Sequence, residues 1–349
     1  MSNKKVTKNE KWRETVERVM LDEHGSWADA VNAIAPYFPD LTVEQLRRKA
    51  RTAMDGSKRA KGFKYVPPEK TKAEKPTEEK PKKIEVVQNL EPTEHDAKWN
   101  GNRVITFGLM GDTQINSKYT QLTHLHHFYD VCAERGIKTV YHTGDIDEGE
   151  QMRMGHQYEC YKQGADEHVA EIVKVYPRRE GIKTYFITGN HDASIMKRCG
   201  YDIGAHIAEQ RPDMKYLGKD CAVVHLTPNC TLELRHPWDG TAYALSYKLQ
   251  KMVEAMEADS KPNILAVGHY HKAEYMFYRN IHCFQTGCFQ SQTPFTRGKG
   301  ISVHMGGWII TVEVDENGYI QRIVPELIPF YTAIKDDYKN FDKWECEQK

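Results

Sequence analysis

The chain has no C-x-x-C pair, no apolar run of membrane-spanning length, no net charge and no internal repeat. Each absence narrows the choices. Without paired cysteines, the eight cysteines among 349 residues read as scattered reduced thiols, as in a cytoplasmic protein. No stretch approaches the ~20 apolar residues that cross a bilayer, so no membrane partner is expected. The opening MSNKKVTKNEKWRE carries basic residues with no apolar core behind them, so no secretory signal is expected there. The zero net charge hides an asymmetry. Residues 1–100 hold 21 basic against 17 acidic side chains, a net +4, and the remainder holds 28 against 32, a net −4.

What is present falls into three segments. Residues 1–60 read as a small helical domain. Trp12, Val16, Val19 and Met20 make an amphipathic stripe. Ser26 with Asp29, and Thr42 with Gln45, carry the spacing of capping boxes that open a second and a third helix. Leu46, Ala50 and Ala53 form the inner stripe of the third helix, and Arg47, Arg48 and Arg51 point elsewhere. Three short helices ending in a basic one resemble a helix-turn-helix unit. Residues 61–100 are rich in Pro, Lys and Glu without hydrophobic periodicity, which predicts an extended linker. Between Arg47 and Lys83 there are 14 basic and five acidic residues, Lys58 and Arg59 among the basic ones.

From residue 101 to 349, short apolar runs alternate with longer amphipathic segments, which predicts an α/β domain. VITFGLM, TVYHTG, TYFITG, CAVVHL and ILAVG read as strands; segments near 118–135, 156–175 and 243–256 read as helices. The strands end in residues that bind metal or handle protons. Asp112 and Gln114 follow the first; Asp145, Asp147 and Glu148 follow the second. Asn190, His191 and Asp192 follow the third. His236 closes the TLELRHP segment, and the last strand runs into His269 and His271, whose i, i+2 spacing turns both imidazoles to one side in extended chain. In open α/β sheets, sites form at the carboxyl ends of strands. Carboxylates and amide oxygens suit hard cations, and imidazoles suit Zn, Fe, Mn or Ni.

The ordered set D-x-Q, GD-x-x-E, GNHD, H and GH-x-H resembles the calcineurin-like metallophosphoesterase superfamily over roughly residues 101–330. The resemblance implies a four-layer α/β/β/α sandwich of two mixed sheets, with helices outside. It implies one metal on Asp112, Gln114, Asp145 and His271, and a second on Asp145, Asn190, His236 and His269, Asp145 bridging. A hydroxide shared by the metals would attack phosphorus, and His191 would stabilise charge or protonate the leaving group. Two positions depart from the common motif. Gln114 stands where histidine is usual and favours a harder ion, with Mn expected and Zn, Fe or Ni as alternatives. Glu148 stands where aspartate usually orients the GNH histidine, and Asp147 competes for that role.

Other residues carry weaker signals. RHPWDG places His236 after an alternating strand and before a turn, which favours it over His225 and His206. His124, His126 and His127 read as the solvated face of a helix. Arg153 and His156 follow Asp145 closely enough to touch substrate, and the TPFTRGKG stretch around Arg297 has the composition of a phosphate-facing loop. A basic helical unit on a phosphoesterase makes DNA the leading partner. The expected activity is therefore that of a phosphodiesterase or nuclease on DNA, with Arg47, Arg48, Arg51, Lys58 and Arg59 as DNA contacts. A small-nucleotide phosphodiesterase or phosphatase is the first alternative. A DNA-binding or scaffold protein with a little-used phosphoesterase domain is the second.

Overall fold

Capping chemistry opens the first part of the chain. In a computed structural model that describes residues 8–22, 26–61, 92–257 and 260–342, the chain divides into two compact units, Met1–Glu85 and Val86–Lys349. The first unit holds α1 (Lys8–Glu17), which continues as a π-helical turn, then α2 (Trp27–Ile34) and α3 (Val43–Lys61). Both expected capping boxes form. Ser26 N–H donates to Asp29 at 2.7 Å and Asp29 N–H returns to Ser26 Oγ. Thr42 N–H donates to Gln45 Oε1 at 2.8 Å, and Gln45 N–H reaches Thr42 Oγ1. Trp12, Val16, Val19, Ile34, Leu46 and Ala50 close a small core of their own. Arg47, Arg48 and Arg51 are exposed, as their place off the inner stripe requires. The side chains of Lys58 and Arg59, and residues 62–91 of the expected linker, lie outside the described residues.

The second unit starts before residue 101, a correction to the sequence reading. Thr93–Asp96 form β1, a parallel edge strand on β6 (Cys221–Thr227). Its residues are polar and mostly exposed, so no hydrophobic alternation marks it. One sheet has the order β1, β6, β7 (Cys230–Arg235), β8 (Ile264–Val267), β10 (Ile281–Thr286), β9 (Ala273–Tyr278). The other runs β12 (Ile320–Pro329), β11 (Gly306–Val314), β2 (Val104–Met110), β3 (Thr139–His142), β4 (Lys183–Thr188), β5 (Met214–Lys219). Both sheets are mixed.

Alternation along β2 sends Phe107 and Leu109 to one face and Met110 to the other. Phe107, Leu109 and Ile187 meet Leu232, Ala266 and Phe284 between the sheets. Outside, α4 (Leu122–Glu134), α5 (Ala165–Val175) and α7 (Ile203–Gln210) cover Met110, Val140 and Phe186. On the far side, α8 (Tyr247–Ala255) packs Leu249 and Val253 over Leu265, Val267 and Cys283. This is the four-layer α/β/β/α sandwich that the resemblance implies. The helix expected over 156–175 is shorter than its pattern. Gly155 and Gly164, at φ +82° and +96°, bracket a short 3₁₀ turn and delay α5 to Ala165. The seven described cysteines are free thiols. No helix among the described residues is long and apolar enough to cross a membrane.

Candidate metal centre

Strands β2, β3 and β4 are parallel neighbours, and so are β7 and β8. Their carboxyl ends therefore leave each sheet on one side, and side chains join the two sets. His269 N–H donates to Asp112 Oδ2 at 2.9 Å, and His236 Nε2 lies 3.1 Å from Asp145 Oδ2. Five of these residues turn on left-handed backbone: Asp112 (φ +51°), Gln114 (+48°), Asp145 (+55°), His269 (+76°) and His271 (+53°). Such conformations cost on the order of 1–3 kcal/mol each outside glycine and persist where the surroundings over-determine them. Here backbone bonds do so: Asp112 N–H to Gly144 O at 3.0 Å, and Gln114 N–H to Asp145 O at 3.1 Å.

Asp145 is the hub. Its Oδ1 accepts His191 N–H at 2.9 Å, and its Oδ2 accepts the Gln114 amide at 3.2 Å and faces His236. Burial raises its pKa, yet the imidazoles of His236 and His191 outweigh burial and hold the carboxyl well below the ordinary range. His236 Nδ1–H donates to Thr143 O at 2.8 Å, which turns Nε2 toward both Asp145 and Asn190 Oδ1, the latter at 3.0 Å. Burial opposes the imidazolium, but the charge of Asp145 prevails and pushes His236 up to about 9. His269 Nε2–H donates to Asp239 O at 2.6 Å, leaving Nδ1 unengaged. Ligand atoms of Asp145, His236 and His269 lie within 4.8 Å of one another.

These residues fit a divalent cation pair. The Asp145 carboxylate fixes the orientation of the Gln114 amide, and the Oε1 left over is fully buried with no hydrogen-bond partner. A buried acceptor without a donor is costly unless a cation supplies the missing charge. Once Nε2 of His236 gives up its proton, it would join the Asp145 carboxylate and Asn190 Oδ1 as a third electron-pair donor in the same place. Gly189 completes the cradle: a Cβ there would overlap the Asp145 carboxylate and the His236 ring. His271 Nε2 sits 3.4 Å from Asp112 Oδ1.

Around this centre the sequence reading needs several corrections. Glu148 holds His191 through its backbone, not its carboxylate: His191 Nδ1–H donates to Glu148 O at 2.6 Å. The Glu148 carboxylate instead receives His156 Nε2 at 2.8 Å and the Gln290 amide at 2.5 Å. Asp147 does not compete, because His168 Nδ1 at 2.7 Å and Asn116 occupy it. His156, expected to touch substrate, is instead fully buried behind Glu148 and does not line the cleft around Asp145. Arg153 pairs with Glu159 at 2.6 Å and does line the cleft that holds Asp145, Asn190 and His191. Arg297 is exposed and outside that cleft. Its stretch folds into a short helix, α9 (Pro294–Gly298), from which Phe295 and the following Lys299 line the cleft instead.

His225 and His206 lie elsewhere, beside Glu94 and Glu209. Of the three histidines expected on a solvated face of α4, His127 is exposed and His124 half-buried, but His126 is buried and bonds Val175 O. Sequence reasoning missed Gln290, His168 and the work of Asp192, whose carboxylate accepts N–H from Gly189 at 2.8 Å and Asp147 at 2.9 Å, tying two site loops together. Only Asp192 had a signal, its place next to the GNH triplet.

No protein-family model matches the chain, and no curated protein matches it. Among solved structures, an archaeal phosphodiesterase is 12% identical over 64% of this chain and 100% of its own, at a TM-score of 0.36. A conserved uncharacterized protein of Streptococcus pneumoniae, a predicted phosphoesterase, is 12% identical over 65% of this chain and 98% of its own, at 0.30. Vps29 of Entamoeba histolytica, solved with zinc, is 14% identical over 65% and 100%, at 0.33. What the site can do is set by the residues this chain brings to its strand ends.

Proposed function

We propose that the chain is a metal-dependent phosphoesterase with two divalent cations, and that it acts as a phosphodiesterase or nuclease on DNA. One observation carries the reading: carboxylate, amide and imidazole donors from both sheets converge on Asp145, with the Gln114 oxygen buried and unpaired. Asp112, Gln114, Asp145 and His271 would hold one cation, and Asp145, Asn190, His236 and His269 the other. When bound, such a pair lowers the pKa of water and neutralises phosphoryl charge.

The chain's own residues supply the rest. Thr143 O and Asp239 O fix the tautomers of His236 and His269, so each presents its other ring nitrogen to the centre. Glu148 O fixes His191 in the same way, which leaves Nε2 to hold a proton for the departing oxygen. The amide oxygen of Gln114 is a harder ligand than an imidazole and favours manganese. The exposed Arg47, Arg48 and Arg51 support a nucleic-acid partner for the helical unit.

Purified protein assayed against bis-p-nitrophenyl phosphate, the monoester, single-stranded and duplex DNA, each with Mn²⁺, Zn²⁺ and Mg²⁺, tests this. Diester and DNA hydrolysis with Mn²⁺ is expected. Monoester hydrolysis with intact DNA would favour a small-nucleotide phosphatase, and silence with every metal would leave a scaffold.

A further inference from the structure

One wall of the cleft is built unlike the rest. Phe295 lines it and is 41% exposed, an apolar ring left open beside a cluster of charged and polar ligands. The ring is not on a loose loop. Pro294 starts α9, and the turn is locked by a reciprocal cap, Thr293 N–H to Thr296 Oγ1 at 2.9 Å and Thr296 N–H to Thr293 Oγ1 at 3.2 Å. The Arg153 guanidinium lies over the ring, 4.4 Å from its centroid. It is held by Glu159 at 2.6 Å, with side chains 20% and 14% exposed. Arg153 therefore covers one side of the ring and the remainder is open. Lys299 adds a positive charge to the same wall.

A rigid exposed aromatic ring beside cationic groups is the arrangement that stacks bases and follows a phosphate backbone. Phe295 belongs to none of the hydrophobic clusters among the described residues. We propose that Phe295, with Arg153 behind it and Lys299 beside it, forms a nucleobase-stacking subsite next to the scissile phosphate. This rests on the phosphodiesterase reading above and narrows it. The substrate is single-stranded or frayed nucleic acid, because a base can stack on Phe295 only when it has left its own helix. The cleft, of about 470 Å³, has room for a nucleotide. Phe295 is a binding residue that sets specificity, and its ring stays clear of the reacting atoms.

The test deletes the base and the ring separately. Wild type, Phe295→Ala and Phe295→Tyr are assayed with Mn²⁺ on a short oligothymidylate and on the same backbone carrying abasic sites. Binding of both is also followed in EDTA by fluorescence anisotropy. Stacking by one base corresponds to roughly a five- to hundred-fold effect. Phe295→Ala should lose kcat/KM and affinity on oligothymidylate by at least five-fold more than on the abasic strand, through KM more than kcat. Phe295→Tyr, which keeps the π face, should recover most of the loss. Equal losses on the two strands, or a Tyr variant as poor as Ala, would overturn the subsite while leaving the phosphodiesterase reading standing. A wild type that cleaves no diester would bring down that reading and the subsite with it.

Discussion

The helical unit and the candidate metal centre obey opposite rules. In the first, local preference largely agrees with the fold: reciprocal caps open α2 and α3 and the apolar stripe is the core, the exceptions being the π-helical turn after α1 and the buried Trp12 indole N–H without an acceptor. At the second, local preference is overridden repeatedly. Five ligand-type residues sit on backbone that glycine would favour, a carboxylate is buried among imidazoles, and an amide oxygen goes unpaired. A chain keeps such conflicts where it needs reactive groups in fixed places, and removes them elsewhere. The contrast can be tested by substitution.

The largest effect is expected at the hub. Asp145→Asn should abolish turnover and metal uptake, because the amide removes the bridging negative charge and its NH2 cannot accept where the second carboxylate oxygen does, from His191 N–H or the Gln114 amide. Elemental analysis beside the diester assay reads both. Next comes His191→Ala, which should keep both metals and lose roughly 10²–10⁴-fold in kcat, the usual weight of one acid–base group. A variant that lost its metals instead would make His191 a structural residue.

Removing the helical unit should act on a different quantity. A chain lacking residues 1–91 keeps β1, so hydrolysis of a small diester should change little. Its affinity for DNA should fall, and its log–log salt dependence should flatten by about 0.9 for each duplex phosphate that is no longer neutralised. Equal slopes with and without those residues would take Arg47, Arg48 and Arg51 out of DNA binding. Gln114→His should have a smaller effect, moving the preferred ion from Mn²⁺ toward Zn²⁺, with identical metal profiles as the outcome that sinks the idea. The smallest change belongs to Ser26→Ala, which should destabilise the helical unit by about 1 kcal/mol in thermal unfolding and leave turnover alone.

Legibility followed burial and locality. VITFGLM and ILAV were readable as strands because they are apolar and continuous, and the residues closing them were readable because each sits within a few positions of such a run. β1 was not, since an exposed polar edge strand carries no alternation. The support around Glu148 was hidden for two further reasons. Gln290 reaches it from 142 positions away in sequence. The group that orients His191 is a main-chain carbonyl, which every residue type offers alike. The resemblance located donors; it could not say that position 148 would act through its backbone.

β1 also has a mechanical consequence. Among the described residues of the second unit, tension passed along the chain from before Pro92 first meets the four-residue pairing of Thr93–Asp96 with β6. Three side chains add to it, Thr93 and His95 reaching Leu217 O and Glu94 lying beside His225. β6 in turn is clamped by antiparallel β7, whose last residues lead to His236. Under a pull, β1 is the fuse. It should detach at low force in a separate small extension, sparing the interior strands whose ends carry Asp112, Asp145 and His269, so that the pull costs the second unit an edge and not its centre.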